Sequence, residues 1–209
     1  MADWDADSPE MKANLAAVSH DVRAAAFARI VPETGLARAW HRRVMRDLDV
    51  PNLMFVGQFR GEAGLEFINV AVGPNVGVPA GDVSMALVQF ESRLQAAVVA
   101  FDARIPVGGM PDDGETLAAV IDLVSWVHAE WVRIHPFANG NGRTARLWAN
   151  FIAMRYGLPA FVRLRPRPGG AYGSAGAAAM SGNWRATVPV FRQLYLDELA
   201  ARRADARPN

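Results

Sequence analysis

The chain has 209 residues, 51% of them hydrophobic, which is enough apolar material for one sizeable domain. Lys and Arg number 22 against 21 Asp and Glu, so the formal net charge of +1 argues against nucleic acid as a partner and leaves phosphate binding to local groups. Because the sequence has no cysteine, no visible signal peptide and no clean run of roughly 20 apolar residues, we expect a soluble, cytoplasmic protein without disulfides, thiolate metal sites or a membrane partner.

The N-terminal part of the chain predicts two helices. Residues 1–10 are acidic and are expected to be a flexible lead-in. Apolar residues at near-helical spacing then predict a helix over 11–30, which Pro32 should end. Further apolar residues recur every four positions over 35–48, and Pro51 closes this second helix.

A short β-hairpin is predicted next. Residues 67–72 are β-branched and alternating, and they are bounded by Gly64 and by the turn signal Gly73-Pro74-Asn75. A strand of this length is too short for the core of a sheet. It belongs either to an ordinary hairpin packed on helices or to a flap over a functional site.

The remaining chain predicts five helices. Asp82 is expected to cap the first of them, and Asp113 or Glu115 the second. The helices cover 83–101, 116–134, 143–156, 172–180 and 187–203, and residues 204–209 form a tail.

A proline-rich connection precedes the helix at 172–180. Its arginines alternate with prolines, which favours a solvated, semi-extended loop, with phosphate contact as the alternative. These arginines are Arg163, Arg165 and Arg167.

The most informative stretch is His135-Pro-Phe-Ala-Asn-Gly-Asn-Gly-Arg-Thr-Ala-Arg146, which lies between two predicted helices. Pro136 biases His135 away from helical torsions, so the preceding helix should stop there and hold the imidazole in place. Gly140 and Gly142 permit torsions that let several N–H groups turn inward at the start of the next helix. The sequence therefore predicts an anion-binding turn.

Two arginines follow this turn at helical spacing. Arg143 and Arg146 share one face of the first helical turn, beside N–H groups that lack intrahelical partners and carry the positive end of the helix dipole. Two guanidinium groups at such a place suit a polyphosphate. Each part alone is typical of an ordinary turn, but together they place a base and an anion site on rigid elements, as a transfer reaction needs.

His128 lies on the same predicted helix as His135, seven residues earlier. The two could pair as metal ligands, but no third ligand is in view. We therefore expect His128 to be a hydrogen-bonded core or surface histidine.

The segment 135–146 resembles the signature of the Fic (Fido) family, His-x-Phe-x-Asp/Glu-Gly-Asn-Gly-Arg-x-x-Arg. Only Asn139 departs, since the family usually has an acidic residue there that holds the magnesium bridging the nucleotide phosphates. Gly57-Gln-Phe-Arg60 also resembles the family's Gly-x-Phe-Arg turn, which leads to a β-hairpin flap.

The resemblance covers residues 36–200 and implies a mostly α, Fic-like helical domain with a small β-hairpin flap over the active site. The domain would span residues 11–203, with the flap at about 66–78 and the signature loop at 135–146.

The implied reaction is transfer of AMP from ATP to a Ser, Thr or Tyr hydroxyl of a target protein, with Mg²⁺ or Mn²⁺ as the expected ion. In this resemblance His135 is the general base. The amides of Gly140 to Gly142, with Asn141, hold the α- and β-phosphates, and Arg143 and Arg146 neutralise the leaving pyrophosphate.

The resemblance also implies contacts outside the loop. Val72 and Gly73 border the nucleotide, and Tyr172 matches a tyrosine that helps hold adenine, whereas Gly173 and Met180 stand where two further base contacts align. The identity of the nucleobase is therefore left open. An extended target segment would pair with the exposed flap edge. The flap residues implied to meet the target are Asn69, Val70, Ala71, Val72 and Pro74.

Asn139 leaves three hypotheses open, because an amide oxygen can ligate magnesium but lacks the charge of a carboxylate. The chain is an AMP transferase that tolerates Asn139, a related transferase of UMP, phosphate or phosphocholine, or a nucleotide-binding regulatory module with vestigial catalysis. The family's inhibitory Ser/Thr-x-x-x-Glu-Gly/Asn motif is not in the sequence. The resemblance therefore implies a separate, antitoxin-like inhibitor chain, while the oligomeric state stays open.

Overall fold

The structure, a computed structural model, describes residues 8–206. Within that range the chain forms seven α-helices and one two-stranded antiparallel sheet, which confirms the predicted, mostly α fold. The helices are α1 (Pro9–Phe27), α2 (Thr34–Val44), α3 (Val83–Arg104), α4 (Gly114–Ile134), α5 (Asn141–Arg155), α6 (Tyr172–Met180) and α7 (Val188–Asp205), and the strands are β1 (Ala71–Val72) and β2 (Asn75–Val76). None of the helices in the described range is both long and apolar enough to cross a membrane.

The helix ends differ from the predictions by a few residues. α1 begins two residues early because the Ser8 hydroxyl accepts the Met11 N–H, so part of the expected lead-in is helical, and residues 1–7 lie outside the described range. α2 stops at Val44 rather than at residue 48. Asp82 occupies the N-cap position of α3 as predicted, but its side chain makes no capping hydrogen bond, and a 3₁₀ turn over Ala80–Asp82 runs directly into that helix.

The pair formed by α4 and α5 is the centre of the fold. Every residue from Arg143 to Arg155 is buried, which requires other elements on all sides of α5. α4, α1 and α2 supply this cover. The Trp131 indole N–H donates to the Thr144 hydroxyl over 2.8 Å and joins the last turn of α4 to the first turn of α5.

Aromatic rings fill the space around α5. Trp148 is fully buried and its ring lies 4.8 Å from that of Trp40 on α2, edge to face. Rings from α3, α4 and α5 complete the cluster around Trp148, namely Phe90, Trp131 and Phe151. This packing fixes the helix whose N terminus borders the site.

The β-hairpin is smaller than predicted. The sequence predicted a strand over residues 67–72, but only β1 and β2 pair, with Ala71 opposite Val76. The Ile68 carbonyl has a hydrogen-bond donor outside the hairpin, because it accepts a hydrogen bond from the buried guanidinium of Arg60. The chain before β1 therefore turns towards Arg60 instead of extending a ladder.

The cap of α4 allows a direct test of local stability. Asp113, rather than Glu115, caps this helix, and its carboxylate accepts the Thr116 N–H over 2.6 Å. We expect Asp113→Ala to lower the free energy of unfolding by about 1 kcal/mol, measured by urea denaturation. The neighbouring Asp112→Ala is the matched control, and an equal loss in both variants would contradict the assignment of the cap.

Candidate active site

His135 ends α4 in an unusual backbone conformation. Its φ of 55° and ψ of 54° lie in the left-handed region, which residues with a side chain rarely adopt. Pro136 excludes the helical alternative, as the sequence predicted. The Nδ1 atom lies 2.9 Å from the Val132 carbonyl, and a carbonyl only accepts, so Nδ1 carries the proton and Nε2 keeps its lone pair.

The surroundings of His135 favour its neutral form. Burial lowers the pKa of this imidazole below 6.5, and the charge on Arg60 lowers it further, while the bond to Val132 acts in the opposite direction. A general base must be unprotonated before it reacts. The geometry and the direction of the pKa shift therefore suit His135 to that role at neutral pH.

Arg60 holds the end of α4 and both sides of the hairpin together. Its side chain is only 1% exposed. It donates to the carbonyls of Ile134 (3.0 Å) and His135 (2.7 Å) on one side and of Ile68 (3.1 Å) and Val78 (2.8 Å) on the other. A guanidinium group at a helix C terminus satisfies carbonyls that the helix leaves unpaired. The Gly-x-Phe-Arg turn thus positions His135 through its backbone.

The loop after His135 is closed by Asn141. The Asn141 side-chain oxygen accepts the Phe137 N–H over 2.8 Å, and its amide nitrogen donates to the Phe137 carbonyl over the same distance. Both ends of the side-chain amide are therefore used within the protein. The Asn141 side chain thus closes the loop, and contact of Asn141 with the phosphates stays a prediction.

His41 of α2 also supports the loop, and sequence reasoning missed it. It is fully buried, accepts the Gly57 N–H at Nδ1, donates from Nε2 to the Asn139 carbonyl over 3.0 Å, and stacks on Phe137. Burial is the main cause that lowers the pKa of His41 to about 4, so the ring is neutral. No local pattern could have revealed it, because Asn139 is 98 residues away in the chain.

Gly140 is required at the start of α5. Its φ is 76°, and an added Cβ would lie 2.8 Å from the Met45 methyl group and 3.0 Å from His41 Nε2. No side chain caps α5, so its first N–H groups remain for an anion at the positive end of the helix dipole.

The two arginines of the first turn of α5 are both buried. Arg143 is 4% exposed and contacts the Met11 sulfur and the Asn139 side-chain oxygen, each over 3.4 Å. Arg146 is 6% exposed and donates to the Leu164 carbonyl over 3.0 Å. Its buried Nε has no hydrogen-bond partner within the described residues.

One cavity of about 1380 Å³ brings most of the predicted site residues together. Two predicted flap residues do not line it: Asn69 accepts the Ala80 N–H at the base of the hairpin, and Ala71 pairs with Val76. The predicted residues that line it are Val70, Val72, Gly73, Pro74, His135, Asn139, Gly140, Asn141, Gly142, Arg143, Arg146 and Tyr172.

Three further cations line this cavity. Sequence reasoning did not single out Lys12, and it favoured a solvated loop for Arg165 and Arg167. Arg165 and Arg167 line the cavity, so phosphate contact stays open for both, whereas Arg163 is exposed and bonds to the Pro166 carbonyl.

His128 and Tyr172 form a buried pair at the wall of the cavity. Their Nε2 and hydroxyl oxygen are 2.6 Å apart, and burial, aided by the charge on Arg146, lowers the pKa of His128 to about 3. Across the described residues there is no group of three or more His, Asp or Glu side chains placed to hold a metal. The prediction of a hydrogen-bonded histidine is confirmed. Gly173 and Met180 also line the cavity.

The site does not fit a magnesium ion held by the protein. The Asn139 side-chain oxygen already accepts hydrogen bonds from the Gly140 N–H and the Arg143 guanidinium. No carboxylate is among the described residues that line the cavity. Magnesium binds oxygen ligands and usually needs one or two carboxylates.

The fold and the site define a helical domain in which a neutral histidine and an uncapped helix start with two arginines share one cavity. The profile of the Fic/DOC family matches residues 33–153, and the chain belongs to this family. The resemblance seen in the sequence is confirmed.

Curated relatives are proteins named protein adenylyltransferase Fic. Those of Culex quinquefasciatus and Aedes aegypti are 30% and 33% identical to this chain over 122 residues, which is 58% of this chain and 19% of each relative. The relative from Drosophila melanogaster is 30% identical over 122 residues, which is 58% of this chain and 20% of that relative. The matched region thus spans about a fifth of these relatives.

Solved structures share the fold. Fic-1 (residues 134 to 508) of C. elegans aligns with a TM-score of 0.64 and 21% identity, over 92% of this chain and 51% of that chain. A Fic-domain-containing signalling protein of Bacteroides thetaiotaomicron aligns with a TM-score of 0.58 and 18% identity, over 92% of this chain and 67% of that chain. At these identities the likeness concerns the fold.

The structural role of Asn141 can be tested by comparison with Asn150. Asn150 makes the same two bonds to the backbone of Val162, away from the loop. We expect Asn141→Ala and Asn150→Ala each to lower the free energy of unfolding by about 1–3 kcal/mol in urea denaturation, because each leaves buried backbone groups unpaired. Unchanged stability in Asn141→Ala alone would contradict the role in closing the loop.

The buried histidines predict a loss of stability in mild acid. The pKa values of His41 and His128, about 4 and about 3, lie below the ordinary 6.5, so the unfolded chain binds more protons between these limits. Stability is therefore complete above pH 6.5 and falls as the pH decreases. Between pH 7 and pH 5 we expect a loss of about 2 kcal/mol for each histidine.

Urea denaturation at pH 7 and pH 5 measures this difference. His128→Gln should reduce this difference by about 2 kcal/mol, and the exposed His20→Gln should leave it in place. A pH difference that persists unchanged in His128→Gln would contradict the assignment.

Proposed function

We propose that this domain transfers AMP from ATP to a Ser, Thr or Tyr hydroxyl of a target protein. The observation that carries the proposal is the single cavity shared by His135 and by the start of α5 with Arg143 and Arg146. Family membership supports it, as do the names of the adenylyltransferase relatives.

In the proposed reaction the phosphates of ATP lie against the first N–H groups of α5. The target hydroxyl oxygen bonds to the α-phosphorus while the bond from that phosphorus to the oxygen bridging the β-phosphate breaks. Nε2 of His135 takes the hydroxyl proton, and pyrophosphate leaves with the electron pair. Arg143 and Arg146 bind the charge that develops on pyrophosphate, in a site where solvent screens them little.

The hairpin is the proposed docking site for the target. Val72 and Val76 are 48% and 61% exposed, and Val72 and its turn also line the cavity. An extended target segment that pairs with the free edge of β1 would bring a hydroxyl towards His135. The backbone supplies such pairing, so the target sequence is only weakly constrained.

The nucleobase would lie beside Tyr172, Gly173 and Met180 at the other end of the cavity. The Tyr172 hydroxyl is taken by His128, so its ring, rather than its hydroxyl, faces the base. Another donor such as UMP, phosphate or phosphocholine is the alternative for this region. An inhibitory chain supplied in trans and the oligomeric state remain predictions.

The first test is transfer of radiolabel from ATP carrying ³²P at the α-phosphate into proteins of a cell lysate and into the chain itself. We expect labelling by the native chain, with a loss of about 10²- to 10⁴-fold in His135→Ala, because that variant lacks the base. The assay includes magnesium, manganese and chelator conditions.

Exposed His20→Ala is the matched control and should label as the native chain does. Equal labelling by His135→Ala would contradict the proposed base. No labelling despite ATP binding would overturn AMP transfer and favour a regulatory module, whereas label only from another donor would assign that donor instead.

A further inference from the structure

We propose that this cavity binds the phosphates of its nucleotide without a divalent cation held by the protein, and that Lys12, Arg165 and Arg167 supply the missing positive charge. The inference rests on the proposed function. It names the groups that replace a metal in the same site. The ligand class is a nucleoside polyphosphate.

The first observation is the absence of an acidic ligand. The described residues that line the cavity include no Asp and no Glu, and the position next to the anion-binding turn carries Asn139. The side-chain oxygen of Asn139 is turned inward to the Gly140 N–H and Arg143. A metal bound to this Asn139 oxygen would have to displace two hydrogen bonds, and it would gain a ligand that carries no negative charge.

The second observation is the source of the positive charges. Five cationic side chains line the cavity, and they come from three separate parts of the chain. Arg143 and Arg146 belong to α5, Lys12 to α1, and Arg165 and Arg167 to the loop before α6. Cations from three separate parts of the chain would together neutralise a polyphosphate, as a metal and two arginines would do.

The third observation is the state of Arg146. It is 6% exposed, and its Nε is buried without a partner within the described residues. The guanidinium donates to the Leu164 carbonyl, but no carboxylate among the described lining residues balances its charge. A phosphate group in the cavity would supply the opposite charge, whereas a divalent cation there would be repelled by Arg146.

The test is ATP binding by the whole chain, measured by isothermal titration calorimetry in EDTA and again in excess magnesium. We expect the native Kd in EDTA to be within about twofold of that in magnesium. Lys12→Gln, Arg165→Gln and Arg167→Gln should each weaken binding in EDTA by about three- to tenfold, as expected for partly exposed charges. Unfolding curves of each variant show that it remains folded.

Arg23→Gln is the matched control. Arg23 is an exposed cation on α1 that does not line the cavity, about 16 Å along the helix from Lys12. Its replacement removes one charge but should change the Kd by less than twofold. A loss equal to that of Lys12→Gln would show only a dependence on net charge and would overturn the assignment of Lys12.

Asn139→Asp supplies the converse test. A carboxylate beside the phosphates should weaken ATP binding in EDTA by at least about tenfold, and magnesium should restore it. Native binding that is more than tenfold weaker in EDTA than in magnesium would overturn this inference and leave the proposed function in place. Failure of the native chain to bind ATP under every condition would overturn both.

Discussion

The turn between α4 and α5 depends on the two hydrogen bonds that join Asn141 to the backbone of Phe137. Sharp turns leave backbone groups without partners, and burial makes each unpaired group costly. Asn141 satisfies both groups from the first position of α5. His135 can therefore keep its left-handed backbone at the end of α4, and the start of α5 stays uncapped.

Packing around this turn makes the arrangement rigid. His41 holds the loop from α2, Arg60 holds the end of α4 from the Gly-x-Phe-Arg turn, and Trp131 ties α4 to α5. These contacts involve backbone atoms or buried rings, so they fix positions rather than perform chemistry. A base held in this way keeps its orientation without help from a ligand.

The cavity concentrates positive charge in a chain whose formal net charge is only +1. Local placement, rather than overall composition, brings these charges together. Burial of Arg143 and Arg146 is tolerated because their side chains find hydrogen-bond partners within the protein. Under the proposed function, a nucleotide that binds only the folded state would also oppose unfolding.

The sequence by itself determined the helices, the end of α4 at His135 and the glycine turn that leads into α5, because proline, glycine and apolar spacing act through local torsions and one helix face. It also placed the family signature. The tertiary structure alone decided the length of the hairpin, the bonds of Asn141 and the buried role of His41. It also brought Lys12 into one cavity with Arg165 and Arg167. Such contacts join residues that are far apart in the chain. Which polar group finds a hydrogen-bond partner therefore depends on how the whole chain packs, and local sequence patterns do not reveal it.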